Sequence, residues 1–191
     1  MKGKLTVLMI TAFVDMLGLA MIIPLLPFYA TKMGASATIV GVLIAAFSIA
    51  QLASAPLWGR FSDRYGRRPA LLAGLLISAI AYVIFAYAST LWLLLISRIV
   101  QGFGGGTIGV VQAYVADASN PNDRAKSLGW LSAATSFGAV VGPAIGSVLI
   151  HWGRHAPGIA SAIFCVLISI FAGIYLRESN EEMLTTSERQ V

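Results

Sequence analysis

Gly59-Arg60-Phe61-Ser62-Asp63-Arg64-Tyr65-Gly66-Arg67-Arg68-Pro69 sets four arginines and one aspartate between two long apolar runs. The hydrocarbon core of a membrane does not accept that density of charge, so the stretch reads as a loop in water. Its arginine excess also says which water. Short basic loops resist translocation and collect on the cytoplasmic side, so this stretch orients the apolar runs before and after it.

Working outward, the chain is 58% hydrophobic and only 11% charged, whereas soluble domains are roughly one-quarter charged. Six apolar segments, at about 5–29, 39–57, 70–88, 91–115, 125–150 and 158–176, stand out in the 191 residues. Each approaches the ~20 residues needed to cross a ~30 Å hydrocarbon core. The expected fold is therefore an all-α membrane protein, a six-helix bundle over 1–176 followed by a polar, disordered tail at 177–191. The net charge of +5 lies in the segments flanking the spans, so topology accounts for it and no nucleic-acid partner is expected. The first run, preceded by Lys2 and Lys4, superficially resembles a secretion signal, and Ala35-Ser36-Ala37 mimics a cleavage site. It is longer than the ~7–15 residues of a signal core and carries Asp15, Pro24 and Pro27, so it reads as a retained span.

Ten of the thirteen Lys and Arg residues fall on one side of this arrangement: Lys2, Lys4, Arg60, Arg64, Arg67, Arg68, Arg124, Lys126, Arg177 and Arg189. The opposite side has Lys32 and Arg154, and Arg98 lies within a span. Both termini are expected in the cytoplasm, with the protein in the cell's inner membrane. His151 and His155 have a spacing that can hold a metal on a helix, but Gly153 and Pro157 break helix there, so the reading is a solvated turn and no metal site. Cys165, alone in an apolar run, reads as a packing residue. No nucleophile stands with a base and no second carboxylate lies deep in a span, so an intramembrane enzyme is not expected.

Asp15 and Arg98 are the ionisable residues placed deep in spans, each costing at least ~2.5 kcal/mol to insert. At a rise of ~1.5 Å per residue, Asp15 lies about 15 Å from the basic surface and Arg98 about 10 Å from the opposite one. Their depths agree well enough for the two to face each other. Asp15 is the only carboxylate within these spans and the candidate for reversible protonation. Either the two residues form a static ion pair pinning span one to span four, or they couple a proton to motion. Arg98, Gln101, Gly105, Gly109 and Gln112 share one face of span four at 100° per residue, as Thr11, Asp15 and Gly18 do on span one. Such polar stripes face a cavity or a neighbouring helix. Gln51 fits the same lining or a hydrogen bond to a neighbour. Pro24 and Pro27 permit a bend in span one. Gly138, Gly142 and Gly146, with Pro143, give span five a small-residue face for close helix packing and a possible kink site. The glycines from Gly102 to Gly106 lie inside a span and lack the Lys-Ser/Thr of a phosphate loop.

These motifs together resemble the major facilitator superfamily, and within it the drug:proton antiporters of the tetracycline-efflux type. Gly59, Asp63, Arg64, Gly66, Arg67 and Arg68 match its signature between helices two and three. Leu94, Arg98, Gln101, Gly102 and Gly104 resemble the helix-four motif, whose arginine is implicated in proton coupling. Gly138, Gly142, Pro143 and Gly146 resemble the antiporter motif of helix five, with Ser147 where a glycine often stands. Asp15, Gly18, Pro24 and Pro27 resemble the helix-one pattern. The resemblance implies export of a small amphipathic compound driven by the proton gradient, with no cofactor, and a signature segment acting as a cytoplasmic latch. It also implies two six-helix halves with substrate between them, of which this chain matches the first, its segment 177–191 resembling either a cytoplasmic tail or the start of the central loop. A second half is then expected in the same longer chain or as a homodimer partner. The alternative is a non-transporting half that binds ligand or another membrane protein.

Overall fold

In the computed structural model, which describes residues 2–176, the charged stretch is not a loop. One helix continues through Tyr65, the next begins at Arg67, and Gly66 alone turns the chain between them. Its φ of 104° is one that a side-chain-bearing residue rarely adopts. Charge argues for water, and water does not end a helix. The helix that reaches Tyr65 has 29 residues, roughly 44 Å at 1.5 Å per residue, so its last turns project beyond a ~30 Å core. Pro69 falls in the first turn of the following helix, where a missing N–H costs nothing.

The helices are α1 (Lys2–Ile22), α2 (Leu25–Lys32), α3 (Ala37–Tyr65), α4 (Arg67–Ala86), α5 (Leu91–Gly105), α6 (Ile108–Asp117), α7 (Arg124–Leu149) and α8 (Ala156–Tyr175). No strand occurs among the described residues. α1 with α2 and α5 with α6 form two broken spans, so six units are long and apolar enough to cross a membrane. The tail expected at 177–191, with Arg177 and Arg189, lies outside the described residues. Side chains mark several starts: Ser36 accepts from the Ile39 amide at 3.4 Å and Thr90 from the Leu93 amide at 3.3 Å, each relieving one orphan donor of a helix N-terminus.

Span one breaks at Ile23-Pro24, where proline has no amide to donate. Span four breaks as well, at Gly106-Thr107, and this corrects its reading as one continuous helix over 91–115. The break loosens the carbonyl ladder at the end of α5, and α3 adds side-chain donors to it. Gln51 Nε2 donates to the Gly105 carbonyl at 3.2 Å. Ser54 Oγ donates to that of Phe103 at 3.3 Å, as does Trp58 Nε1 at 2.6 Å. Trp58 is buried, so Trp58→Phe removes a hydrogen bond while keeping most of the ring. The expected cost is about 1 kcal/mol, read as a lowered melting temperature in detergent micelles. Pro143 lies inside α7 without ending it.

Packing follows a definite order. α1 lies between α7 and α8, α4 between α8 and α5, and α3 against α5, while α6 touches α7, α4 and α3. The α1–α7 contact runs along the glycine stripe: a Cβ at Gly138 would stand 2.5 Å from the Phe13 carbonyl oxygen, and one at Gly142 2.7 Å from Ala20 Cβ. Those distances leave room for hydrogen and nothing larger. Beside a small apolar cluster of Trp58, Ala70 and Val110, two large ones form most of the core. One gathers Tyr29, Tyr82, Phe85, Leu94 and Cys165, and the other, nearer the basic end, gathers Leu8, Leu71, Tyr114, Leu131 and Leu176.

Candidate functional site

Between these clusters opens a cavity of about 150 Å³. α1 lines it with Thr11, Asp15, Met16 and Leu19, α3 with Phe47 and Gln51, and α4 with Ser78 and Tyr82. The broken span contributes Gln101, Gly105, Thr107, Val111 and Gln112, and α7 contributes Leu131, Ser132 and Thr135. Asp15 is the one charged residue of this described lining. Around it are amides, hydroxyls and two aromatic rings. Such a wall offers a carboxylate, hydrogen-bond partners and apolar contact to a small amphipathic guest, with the single formal charge focused by low-dielectric surroundings.

Arg98 lies elsewhere. It is 2% exposed, does not line the cavity, and stacks its guanidinium 5.3 Å from the centre of the Phe85 ring. Its Nε and Nη2 have no hydrogen-bond partner, and no ion pair joins it to Asp15. The equal depths of the two residues therefore do not make a contact. Depth fixes height in a bundle but not direction: α5 is packed on α3 and α4, whereas α1 is packed on α7 and α8.

The other residues singled out by the sequence divide in the same way. Thr11, Gln51, Gln101 and Gln112 all reach the cavity, and Gln51 also bonds across to α5, so its two readings hold together. Gly109 is exposed and contributes no lining. Gly138, Gly142 and Gly146 face the α1 backbone. Gly59 has open space around it, and Arg64 lies over the Tyr65 ring. His155 Nδ1 lies 2.5 Å from the Ala86 carbonyl oxygen, and its ring stacks on Tyr87.

At the basic end the signature residues join four helices, α3, α4, α6 and α8. Arg67 Nη1 bonds Asp63 Oδ1 at 2.8 Å and Ser62 Oγ at 2.7 Å, and its Nε bonds Asp117 Oδ2 at 3.3 Å. Arg68 reaches the Gly173 carbonyl on α8. Asp117 escaped the sequence reading because it lies just beyond the span as drawn. Partly exposed pairs contribute up to about 1 kcal/mol. Arg67→Ala is accordingly expected to raise amide hydrogen exchange in the last turn of α6 severalfold, with α1 unaffected.

Tyr82 is the other residue the sequence did not single out. It is buried, yet it lines the cavity. Its Oη is 3.5 Å from where a Cβ would stand on Gly18, one helical turn from Asp15.

The chain is similar along nearly its whole length to known proteins. The family model of the Major Facilitator Superfamily matches residues 8–191. Identity is 38% over 183 residues to the class C tetracycline resistance protein of Escherichia coli, covering 94% of this chain and 46% of that protein. It is 35% over 175 residues to multidrug resistance protein 1 of Bacillus subtilis (strain 168), covering 91% and 45%. The crystal structure of the human organic anion transporter MFSD10 (TETRAN) matches with a TM-score of 0.80 at 26% identity, over 93% of this chain and 48% of that one. The chain thus spans about half the length of the curated relatives it matches. Given that match, and six apolar spans of which five line the Asp15 cavity, the chain belongs to the major facilitator superfamily of multi-pass membrane transporters.

Proposed function

We propose that this six-helix unit forms one wall of a proton-coupled efflux antiporter for small amphipathic compounds, tetracycline and other drugs among them. The observation that carries the reading is the cavity in which Asp15 is the only charged residue of the described lining. A lone carboxylate among apolar and aromatic groups attracts a cationic guest or a proton and has little reason to hold both. Loading one expels the other, which is exchange. The tetracycline and multidrug resistance relatives support the substrate class, and the proton gradient is the energy source, with no further cofactor. Arg98 acts from behind the cavity wall by holding positive charge near α4. The Asp63–Arg67–Asp117 contacts act as a latch on the basic end, which faces the cytoplasm of a bacterial-type inner membrane with both termini. A second six-helix unit, in the same longer chain or as a second copy, completes the cavity, because alternating access needs two walls that rock against each other.

The test is uptake of ethidium and of tetracycline by energised inside-out vesicles carrying the chain. Uptake abolished by a proton uncoupler is the expected result. Saturable ethidium binding with no uptake in such vesicles would instead favour the half that binds without transporting.

A further inference from the structure

The proposed exchange leaves a gap, since Asp15 and Arg98 do not touch. The side chain between them is Tyr82. It shares the cavity lining with Asp15 and Gln101, and it lies on the α4 face that also carries Phe85, the ring stacked on Arg98. Its phenol reaches α1 at Gly18, one turn from Asp15 on the same helix face. Ser161 of α8 holds that point of α1 by donating to the Gly18 carbonyl at 3.1 Å. On the other side is Gln101, one turn from Arg98. Gln101 is 2% exposed, and neither its Nε2 nor its Oε1 has a formed hydrogen bond. Both amide atoms of this buried, cavity-lining glutamine are therefore open to a side chain that turns toward them, and the phenol of Tyr82 is the hydrogen-bonding neighbour on that side. The charged and titratable side chains in reach of Tyr82 are Asp15 from α1, Arg98 from α5 and Cys165 from α8. α3 and α6 present the amides Gln51 and Gln112 to the same cavity, and α7 presents Ser132 and Thr135.

We infer that Tyr82 is a positioning residue whose phenol hydrogen-bonds the Asp15 carboxylate when that group is charged and turns to the Gln101 amide when it is neutral. α1 and α5, which pack chiefly on other helices, are thereby linked through α4. The state of Asp15 is passed to the helix of Arg98 without an ion pair between the two. No bond is made or broken in this step; the hydroxyl proton stays on Tyr82 while its acceptor changes.

This inference rests on the reading of Asp15 as alternately charged and neutral. It is tested by infrared difference spectroscopy on the full chain in detergent micelles, between alkaline and acid solution and without any drug. The tyrosine C–O stretching band is expected to shift in the wild type and in Tyr87→Phe. The shift is expected to vanish in Tyr82→Phe and equally in Asp15→Asn, with each variant's melting curve showing that it remains folded. A wild type without such a shift, or a shift surviving either of the last two substitutions, overturns the link. Because the spectrum needs no transport, it separates the two readings. Vesicle export with no tyrosine shift sinks the link alone, and the shift without export sinks the exporter reading alone.

Discussion

Asp15→Asn is expected to reduce proton-driven drug uptake by inside-out vesicles to the level of empty vesicles. Binding of a cationic drug is expected to weaken at least tenfold, about 1.4 kcal/mol. Asparagine keeps the size and most of the hydrogen bonding of aspartate but removes the charge, so it fixes the cavity in the state an added proton produces. The same substitution separates the coupling role from a static ion pair. Were Asp15 pinning span one to Arg98, neutralising it would leave a buried guanidinium uncompensated, at a cost of about 3–5 kcal/mol. Because Arg98 rests on Phe85 and makes no ion pair with Asp15, the double-mutant cycle of Asp15→Asn and Arg98→Gln on melting temperature is expected to give a coupling energy well below the ~3–5 kcal/mol of a broken buried pair.

The largest effect on stability is expected at the α1–α7 contact. A Cβ on Gly142 would meet Ala20 Cβ at 2.7 Å and the Leu17 carbonyl oxygen at 2.8 Å, and neither can move without moving α1. Gly142→Ala is therefore expected to cost at least ~1–3 kcal/mol, and Gly142→Leu to prevent accumulation of folded protein. The control lies on the same helix: Gly129 has nothing within 4 Å. Gly129→Ala should leave stability unchanged or raise it by up to about 1 kcal/mol through helix propensity. Thermal melts of the three variants in one detergent make the comparison. Equal melting temperatures for Gly142→Ala and Gly129→Ala would contradict the close packing of α1 on α7.

Much of the architecture could be read before any coordinates. Membrane class and the number of spans follow from the contrast between apolar runs and clustered arginine, because lipid punishes charge wherever it falls. What escaped the sequence was what neighbouring helices decide. The stretch around Gly66 looked like a loop because its charge was taken to end the helix, whereas only Gly66 does. The break at Gly106-Thr107 was hidden because Gly102 to Gly106 signals small size and flexibility alike. The donors that make the break affordable, Gln51, Ser54 and Trp58, belong to another helix. The polar stripe on span four was legible at Gln101, Gly105 and Gln112, yet Gly109 is exposed and Arg98 at its head turned into the wall and not the cavity. Tyr82 carried no signal, since a tyrosine in an apolar run is ordinary packing until its phenol is seen beside α1. Asp117 likewise gained meaning only when Arg67 was found to reach it.

The central claim, that one carboxylate serves proton and substrate in turn, is tested most directly by proton release on binding. Ethidium is added to the purified chain in weakly buffered detergent solution containing a pH indicator, at a pH where Asp15 is largely protonated. The account predicts that each ligand bound releases a proton, and that the release disappears in Asp15→Asn. Saturable binding with no proton released would contradict it.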